Sequence, residues 1–484
     1  MKTWRAINDY HVIGPVDGPD SEWLVYHPLS MSLFVVDELK GKVLQLKEKG
    51  YSIADISLIT RCNSRMCERI FEESEEIFQK KTFELKKRSG EKSRKSGPHN
   101  IWFFVSTGCN MACSYCYASG GDFKSFPKEI MKKETAQIAV QKLSQLLGDS
   151  ITTVSFFGGE PLLAFETIKV IVEEFIKNGI MPRFAVSTNG TLLDHKKLDF
   201  LLKHNFSVTV SIDGSEDVHD HNRRFTNGTK TFKHVMENVE ILKNRGVRLS
   251  VQATYTYYAF NAGYTLIDIV DFLSSIASVI AIKKEEQFPL LSGKIDVDNL
   301  VSNPKFYNIC KDYITYVFDR LSSSEPVFDL AITRAIGEVV NKVHSDFYPC
   351  GFKAHLTVFP DGSVYSCHLL TNLHLKLTDN ILNLEKNCFY NKYEEIEEWL
   401  LEKFRDLNFP LKVWFSDFQD LCPAALISLE SDPLLIKKRF GEFINFESLF
   451  WDEVLKKIYI MSKKGNWQKI LENISHYFGG RKNA

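Results

Sequence analysis

The 484-residue chain balances 60 Lys and Arg against 61 Asp and Glu, and its 44% apolar, 25% charged composition is that of an ordinary folded protein. A formal net charge of −1 supplies no global field for nucleic acid or an anionic membrane, and the length predicts two to four domains. No uninterrupted apolar stretch is long enough to span a bilayer, and polar residues follow Met1-Lys2-Thr3-Trp4, so neither a membrane span nor a signal peptide is expected.

Residues 1–82 read as a small unit of their own. Trp23-Leu24-Val25-Tyr26-His27 and Met31-Ser32-Leu33-Phe34-Val35-Val36 predict a hairpin. Asp37 caps a helix that runs to Lys49, and Gly50 ends it in the position where a left-handed glycine is usual. Two more helices are expected near 53–60 and 64–80. Cys62 and Cys67 read as ordinary thiols. Residues 83–98, rich in Lys, Arg, Ser and Gly from Lys86 onward, predict a basic flexible connector that delivers a tethered substrate at raised local concentration.

The stretch 99–325 alternates strands and helices. The apolar run Ile101-Trp102-Phe103-Phe104-Val105 reads as a buried strand, and Cys109-Asn110-Met111-Ala112-Cys113-Ser114-Tyr115-Cys116 follows it closely. Ten cysteines without a secretory signal imply a reducing cytoplasm, where clustered cysteines bind metal. Iron–sulfur clusters take four thiolates as a rule, so three on one tight loop leave one iron for another ligand. The spacing alone leaves zinc or three buried thiols open. Four further β-rich runs end in small or polar residues. These are Gly158-Gly159-Glu160-Pro161, Ser187-Thr188-Asn189-Gly190, Ser211-Ile212-Asp213-Gly214 and Thr254-Tyr255-Thr256. A parallel α/β barrel builds its site at such strand ends.

Beyond residue 300, Cys310 falls on a predicted helix over 306–321 and reads as core. Pro360-Asp361-Gly362 lies between two alternating apolar runs and predicts a hairpin turn. Cys350, Cys367, Cys388 and Cys422 complete the informative cysteines. Over 436–484, Trp451, Leu455, Ile458 and Met461 recur at helical spacing, which predicts helices packed by one apolar face. There is no internal repeat and no P-loop.

The cysteine loop and the strand-end motifs, in this order over roughly residues 98–320, strongly resemble the radical S-adenosylmethionine (SAM) superfamily. The resemblance implies an α/β fold, a partial (β/α)6 TIM-type barrel over 99–325. It implies that Cys109, Cys113 and Cys116 hold a [4Fe–4S] cluster whose open iron chelates SAM. Tyr115 would contact the adenine. Gly158, Gly159 and Glu160 would present backbone to the methionine amino group. Ser187 and Asn189 would line the pocket near the ribose. Ser211, Asp213, Thr254 and Arg223, the last within His219-Asp220-His221-Asn222-Arg223, would meet the cofactor's polar groups. The expected product is a 5′-deoxyadenosyl radical that removes one hydrogen in a dry site.

Residues 1–82 resemble the winged-helix-like recognition domain of ribosomal-peptide maturases, which captures a leader peptide at a strand edge. Residues 326–435 resemble the SPASM or twitch extension, implying one auxiliary iron–sulfur cluster on Cys350, Cys367 and Cys422. The fourth site is open, non-cysteine or Cys388. The positions of a second auxiliary set fall on Phe409, Lys412 and Phe418, so a second auxiliary cluster is not expected. A zinc-ribbon-like fold is the alternative for this region. The implied function is modification of a ribosomally made precursor peptide, with a flavodoxin or ferredoxin as electron donor and neither nucleic acid nor membrane as partner. A thioether from a peptide cysteine is the first expectation, and a carbon–carbon or carbon–oxygen link the next. A sulfatase-type formylglycine maturase is an alternative. Its second auxiliary cluster and the aspartate after its Gly-x4-Cys cysteine are missing here, where His368 follows Cys367. His368 reads as a surface residue, or else as a base near the auxiliary cluster. A non-catalytic redox sensor is the alternative from another class, and it would not need Gly158-Gly159-Glu160-Pro161 or Arg223.

Overall fold

The computed structural model describes residues 10–16, 22–89, 98–123, 126–285, 300–341, 354–385, 391–396, 398–399, 402 and 433–479. A three-stranded antiparallel sheet opens the chain: β1 (His11–Pro15), β2 (Trp23–His27) and β3 (Ser32–Val36), with β2 in the middle. Three helices follow: α1 (Glu38–Glu48), α2 (Ile53–Thr60) and α3 (Ser64–Ser89). Asp37 caps α1 by accepting from the Lys40 N–H, and Ser52 caps α2 by accepting from Asp55. The predicted hairpin is present, while β1 has too short an apolar run to stand out in the sequence. The third helix continues nine residues past Lys80, into the stretch read as a connector.

The run Trp23-Leu24-Val25-Tyr26 is apolar throughout because β2 is buried on both faces. Trp23 and Val25 pack with Val43, Leu44, Ile56 and Ile70 of the unit's own helices. Gly41 lets α1 lie directly on the indole, since a Cβ there would sit 2.5 Å from the Trp23 ring. Leu24 and Tyr26 point the other way and join the main core of the protein. The unit is therefore packed against the rest of the chain, which differs from the expectation of a freely tethered module. The reason is the second buried face, which only a neighbour can cover.

The main sheet has the order β10-β9-β8-β7-β6-β5-β4-β11-β12. Its centre is six parallel strands: β4 (Asn100–Ser106), β5 (Thr153–Gly158), β6 (Arg183–Thr188), β7 (Ser207–Ser211), β8 (Arg248–Tyr255) and β9 (Val279–Lys284). The connections are α4 (Lys133–Leu147), α5 (Phe165–Lys177), α6 (His195–Lys203), α7 (Glu216–Asn222), α8 (Phe232–Asn244), α9 (Tyr257–Asn261) and α10 (Leu266–Ser274). Phe103 pairs with Phe156, Phe156 with Val186 and Val186 with Val208. These side chains face the helices and are almost fully buried. The alternate residues Trp102, Phe104, Phe157, Ser187, Thr209, Ser250 and Gln252 line the inner face of this partial barrel.

The sheet does not stop at its sixth strand. After α11 (Pro304–Leu321), β10 (Phe328–Asp329) adds in parallel to β9 and leads into α12 (Leu330–Asn341). The predicted hairpin, β11 (His355–Val358) and β12 (Val364–Tyr365), adds to the opposite edge. There β11 runs parallel to β4, with Thr357 beside Trp102.

Two helices close the chain, α13 (Pro433–Lys463) and α14 (Asn466–Gly479). Trp451, Leu455, Ile458 and Met461 are buried, as their spacing predicts. Among the described residues no helix is long and apolar enough to cross a membrane. Helix α13 acts as a strut. Its Glu447 pairs with Lys284 at the end of β9, and its Tyr459 donates to Glu22 of the amino-terminal unit. His11 links the same two bodies, with Nδ1 2.7 Å from Glu48 and Nε2 3.0 Å from Asp452.

Burial alone would lower the His11 pKa, but hydrogen bonds to Asp452 and Glu48 and their charges outweigh it and push the imidazole up to about 9. A histidine raised in the folded state stabilises fully below its unfolded value of about 6.5, and the contribution disappears as pH rises through 9. We expect thermal unfolding to lose about 1–3 kcal/mol of stability between pH 6.5 and 9. His11→Gln should abolish that slope. Calorimetry of both proteins across the range checks this, and parallel slopes would refute it.

Candidate active site

Cys109, Cys113 and Cys116 lie on the loop that leaves β4, and two backbone seams hold this loop in place. On one side the Gly159 N–H donates to the Ser106 carbonyl at 2.9 Å, and the Glu160 N–H to the Gly108 carbonyl at 2.9 Å. On the other, the Ala112 N–H donates to Arg224, the Ser114 N–H to Asn222 and the Thr226 N–H to Asn110, at 2.8, 3.0 and 3.1 Å. The first seam explains the glycines. A Cβ on Gly159 would lie 2.3 Å from the Gly120 carbonyl oxygen and 2.4 Å from that of Gly108. Gly158 has φ +145°, and a Cβ there would lie 2.1 Å from the Ser106 carbonyl. Both glycines pack against the end of β4 and the cysteine loop, and the Gly159 N–H is donated to Ser106.

The thiols sit among N–H donors. The Met111 N–H points at Cys109 Sγ at 3.4 Å, the Gly120 N–H at Cys116 Sγ at 3.2 Å, and Asn189 Nδ2 lies 3.8 Å from Cys109 Sγ. Burial pushes the Cys109 thiol up to about 11 and the Cys113 thiol up to about 12, the latter partly offset by the Arg223 charge. Both therefore keep their protons at neutral pH unless a metal displaces them. A cluster spreads its thiolates over different irons, and N–H···S donors are what its sulfurs accept. The donor set fits an iron–sulfur cluster.

Glu160 is fully buried, and its carboxylate accepts from the Thr188 hydroxyl at 2.7 Å, the Asn189 N–H at 2.7 Å and the Leu162 N–H at 3.0 Å. Burial pushes its pKa up to about 7 against these bonds. It clamps the ends of β5 and β6 together. Asn189 in turn meets Asn110 of the cysteine loop at 2.9 Å and accepts from Thr191. Asp213 is also fully buried and draws in Tyr115, Arg223 and the Thr254 N–H. The Arg223 guanidinium lies 5.4 Å from the centre of the Tyr115 ring. Ser187 and Ser211 are joined through Gln252, whose Nε2 donates to them at 3.2 and 2.9 Å.

The first-half residues singled out in the sequence thus converge at the carboxyl ends of β4 to β8. Gln252, Asn110 and the seam over 222–226 were not anticipated. Gln252 is two residues before Thr254 on the same face of β8, so strand alternation carried a signal for it. The seam carried none, because its bonds are backbone to backbone across about 110 residues.

Of the auxiliary set only Cys367 can be placed; Cys350, Cys388 and Cys422 lie outside the described residues. Cys367 follows β12 and is partly buried. His368 is not a surface residue: it is 9% exposed, stacks on Trp102 and Phe104 with ring centres 5.2 and 5.4 Å away, and sits 3.4 Å from the Tyr117 hydroxyl. The cause is the pairing of β11 with β4, which folds the hairpin over the inner aromatic side chains of β4. Burial pushes the His368 pKa down to about 3, so the ring is neutral. Cys310 is a core residue, as its helix implied.

Residues 103–274 match the Radical SAM superfamily, and the chain therefore carries a radical SAM domain. Among characterised relatives, the serine-type anaerobic sulfatase-maturating enzyme of Bacteroides thetaiotaomicron is 32% identical over 179 residues, covering 36% of this chain and 42% of that protein. The radical SAM cyclopropyl synthase TigE of Paramaledivibacter caminithermalis is 26% identical over 285 residues, 54% of this chain and 59% of that protein. The chain thus spans less than two thirds of the length of either relative. The solved structure of native anSMEcpe with bound AdoMet shares the fold, with a TM-score of 0.59 at 20% identity over 74% of this chain and 98% of that one. The cofactors of such a domain are a [4Fe–4S] cluster and SAM, with auxiliary clusters in the SPASM type.

The glycine seam makes a direct prediction. Gly159→Ala should fold but fail to seat the cysteine loop, losing about four iron atoms per chain after anaerobic reconstitution. Iron and sulfide counts beside far-ultraviolet circular dichroism check it; full iron content would show that the seam is not required.

Proposed function

We propose that the protein is a radical SAM enzyme that modifies a ribosomally made precursor peptide. The observation that carries this reading is the placement of three sulfur donors beside Tyr115 and the buried Arg223 at the ends of parallel strands. When bound, the cluster supplies one electron for reductive cleavage of SAM. The chain's own residues hold the reactants. Cys109, Cys113 and Cys116 ligate the cluster, Tyr115 and Arg223 face the cofactor, and Ser187, Ser211 and Gln252 line the polar wall of the barrel. Trp102, Phe104 and Phe157 form the opposite, apolar wall and exclude water. A flavodoxin or ferredoxin supplies the electron. Buried free thiols such as Cys62, Cys67 and Cys310 suit a reducing cytoplasm.

The amino-terminal unit is proposed to bind the leader of that peptide. Among the described residues β3 is an edge strand of the sheet and Val35 is 45% exposed, which supports main-chain pairing with a peptide along that edge. The bond formed is proposed to be a thioether from a peptide cysteine; Cys350, Cys367 and Cys422 would hold an auxiliary cluster, which could supply a thiolate-binding iron and an electron acceptor. Carbon–carbon closure is the second reading. It is favoured by the cyclopropyl synthase, whose alignment covers more of this chain than that of the sulfatase maturase.

Anaerobic incubation of the reconstituted protein with SAM and dithionite should release 5′-deoxyadenosine, and replacing Cys109, Cys113 and Cys116 together with Ala should abolish it. No release from the wild type would favour a redox sensor. Val35→Pro should weaken binding of the leader at least about tenfold by fluorescence anisotropy, through loss of an edge hydrogen bond and strand geometry. Its 5′-deoxyadenosine release should be unchanged. Equal affinity would remove the strand edge from the proposal.

A further inference from the structure

Asp213 follows β7 and is completely shielded from solvent. Three donors from three elements converge on its carboxylate. The Tyr115 hydroxyl, from the cysteine loop, lies 2.8 and 3.0 Å from its two oxygens. Arg223 Nε, from the end of α7, lies 3.0 Å away, and the Thr254 N–H of β8 lies 3.1 Å away. A carboxylate has about four acceptor positions, so this group is close to fully used by the protein. It has little left to offer a ligand, although its position in Ser211-Ile212-Asp213-Gly214 suggested a cofactor contact.

What Asp213 does control is the pose of two groups that face the site. Arg223 gives its Nε to Asp213, which fixes the plane of the guanidinium and the direction of its two terminal nitrogens. Tyr115 gives its hydroxyl to the same carboxylate, which fixes its ring 5.4 Å from that guanidinium. We propose that Asp213 is a positioning residue that sets Tyr115 and Arg223 as one unit for binding S-adenosylmethionine, without touching the cofactor itself. This rests on the SAM site proposed above.

The arrangement separates cofactor binding from cluster assembly. The cysteine loop is also held by the seams at Gly108–Glu160 and at 222–226, neither of which involves the Asp213 side chain. Removing the carboxylate's charge leaves those seams intact. Asparagine in its place presents an N–H toward a shell made only of donors, so at least one of Tyr115, Arg223 and Thr254 loses its acceptor. Tyr115 and Arg223 then move independently.

The experiment is a double-mutant cycle of Asp213→Asn and Tyr115→Phe on the reconstituted full chain. SAM affinity is measured by anaerobic calorimetry, beside iron counts and electron paramagnetic resonance of the reduced cluster with and without SAM. D213N should keep its iron and sulfide, bind SAM about 10- to 100-fold more weakly, and lose the spectral change that SAM causes in the wild type. Y115F should weaken binding about 3- to 10-fold alone and add nothing in the D213N background, because its hydroxyl acts only through Asp213. Unchanged affinity in D213N overturns the inference, as do additive losses, which would place the Tyr115 hydroxyl on the cofactor directly. Loss of iron in D213N also overturns it, making Asp213 a support of the cluster loop. If the wild type itself binds no SAM, the proposed function fails first, and that control separates the two results.

Discussion

The site depends on two stretches of backbone coming closer than side chains permit. The end of β5 donates N–H···O=C bonds from Gly159 and Glu160 to Ser106 and Gly108, and a Cβ on Gly158 or Gly159 would overlap a carbonyl oxygen. A loop held only by its side chains would sample many thiol positions. Bonded along its main chain on both sides, it presents three sulfurs in one arrangement, at the small entropic cost of groups already ordered by the sheet. Register matters for the same reason. Phe103 beside Phe156 and Phe156 beside Val186 fix which residues end each strand, and a slip of one residue would turn the inner wall outward.

Two buried carboxylates finish the job in different ways. Glu160 ties neutral donors and carries a raised pKa, so its charge weighs against folding increasingly from about pH 4.5 to 7, the sign expected for a desolvated acid. Asp213 meets a cation, and the Arg223 guanidinium stays charged beside it. Neither is a spare group waiting for a ligand. In a low-dielectric site an acid left half-satisfied would be costly, so each is surrounded by donors from several elements.

Much of this was legible in the sequence, and for identifiable reasons. The strands β4 to β7 are short β-branched or aromatic runs that lead into Gly, Ser, Asn or Asp, and those junctions mark where side chains stop packing and start presenting polar atoms. Asp37 marks a helix start because a cap needs its oxygen at one fixed position. What stayed hidden is long-range and lacks a compositional trace. The seam from Asn110 to Thr226 uses main-chain groups that every residue owns. One partner of the Glu160 carboxylate, the Thr188 hydroxyl, is a neighbour 28 residues away. The burial of His368 depends on β11 choosing β4 as its partner, which no local pattern reveals.

The amino-terminal sheet has no face to spare: Trp23 and Val25 belong to its own helices, Leu24 and Tyr26 to the body of the protein. Such a unit cannot be exchanged like a bead on a string. A chimera that takes this unit alone would expose Leu24 and Tyr26, which pack into the main core, and the recipient would lack the Asp452 carboxylate that receives His11. The portable piece is the sheet together with its distant helix, two segments about 400 residues apart that must travel together. Recombination between related chains is therefore expected to break within the barrel loops more readily than at the apparent boundary near residue 90, where the sequence alone suggests a clean cut.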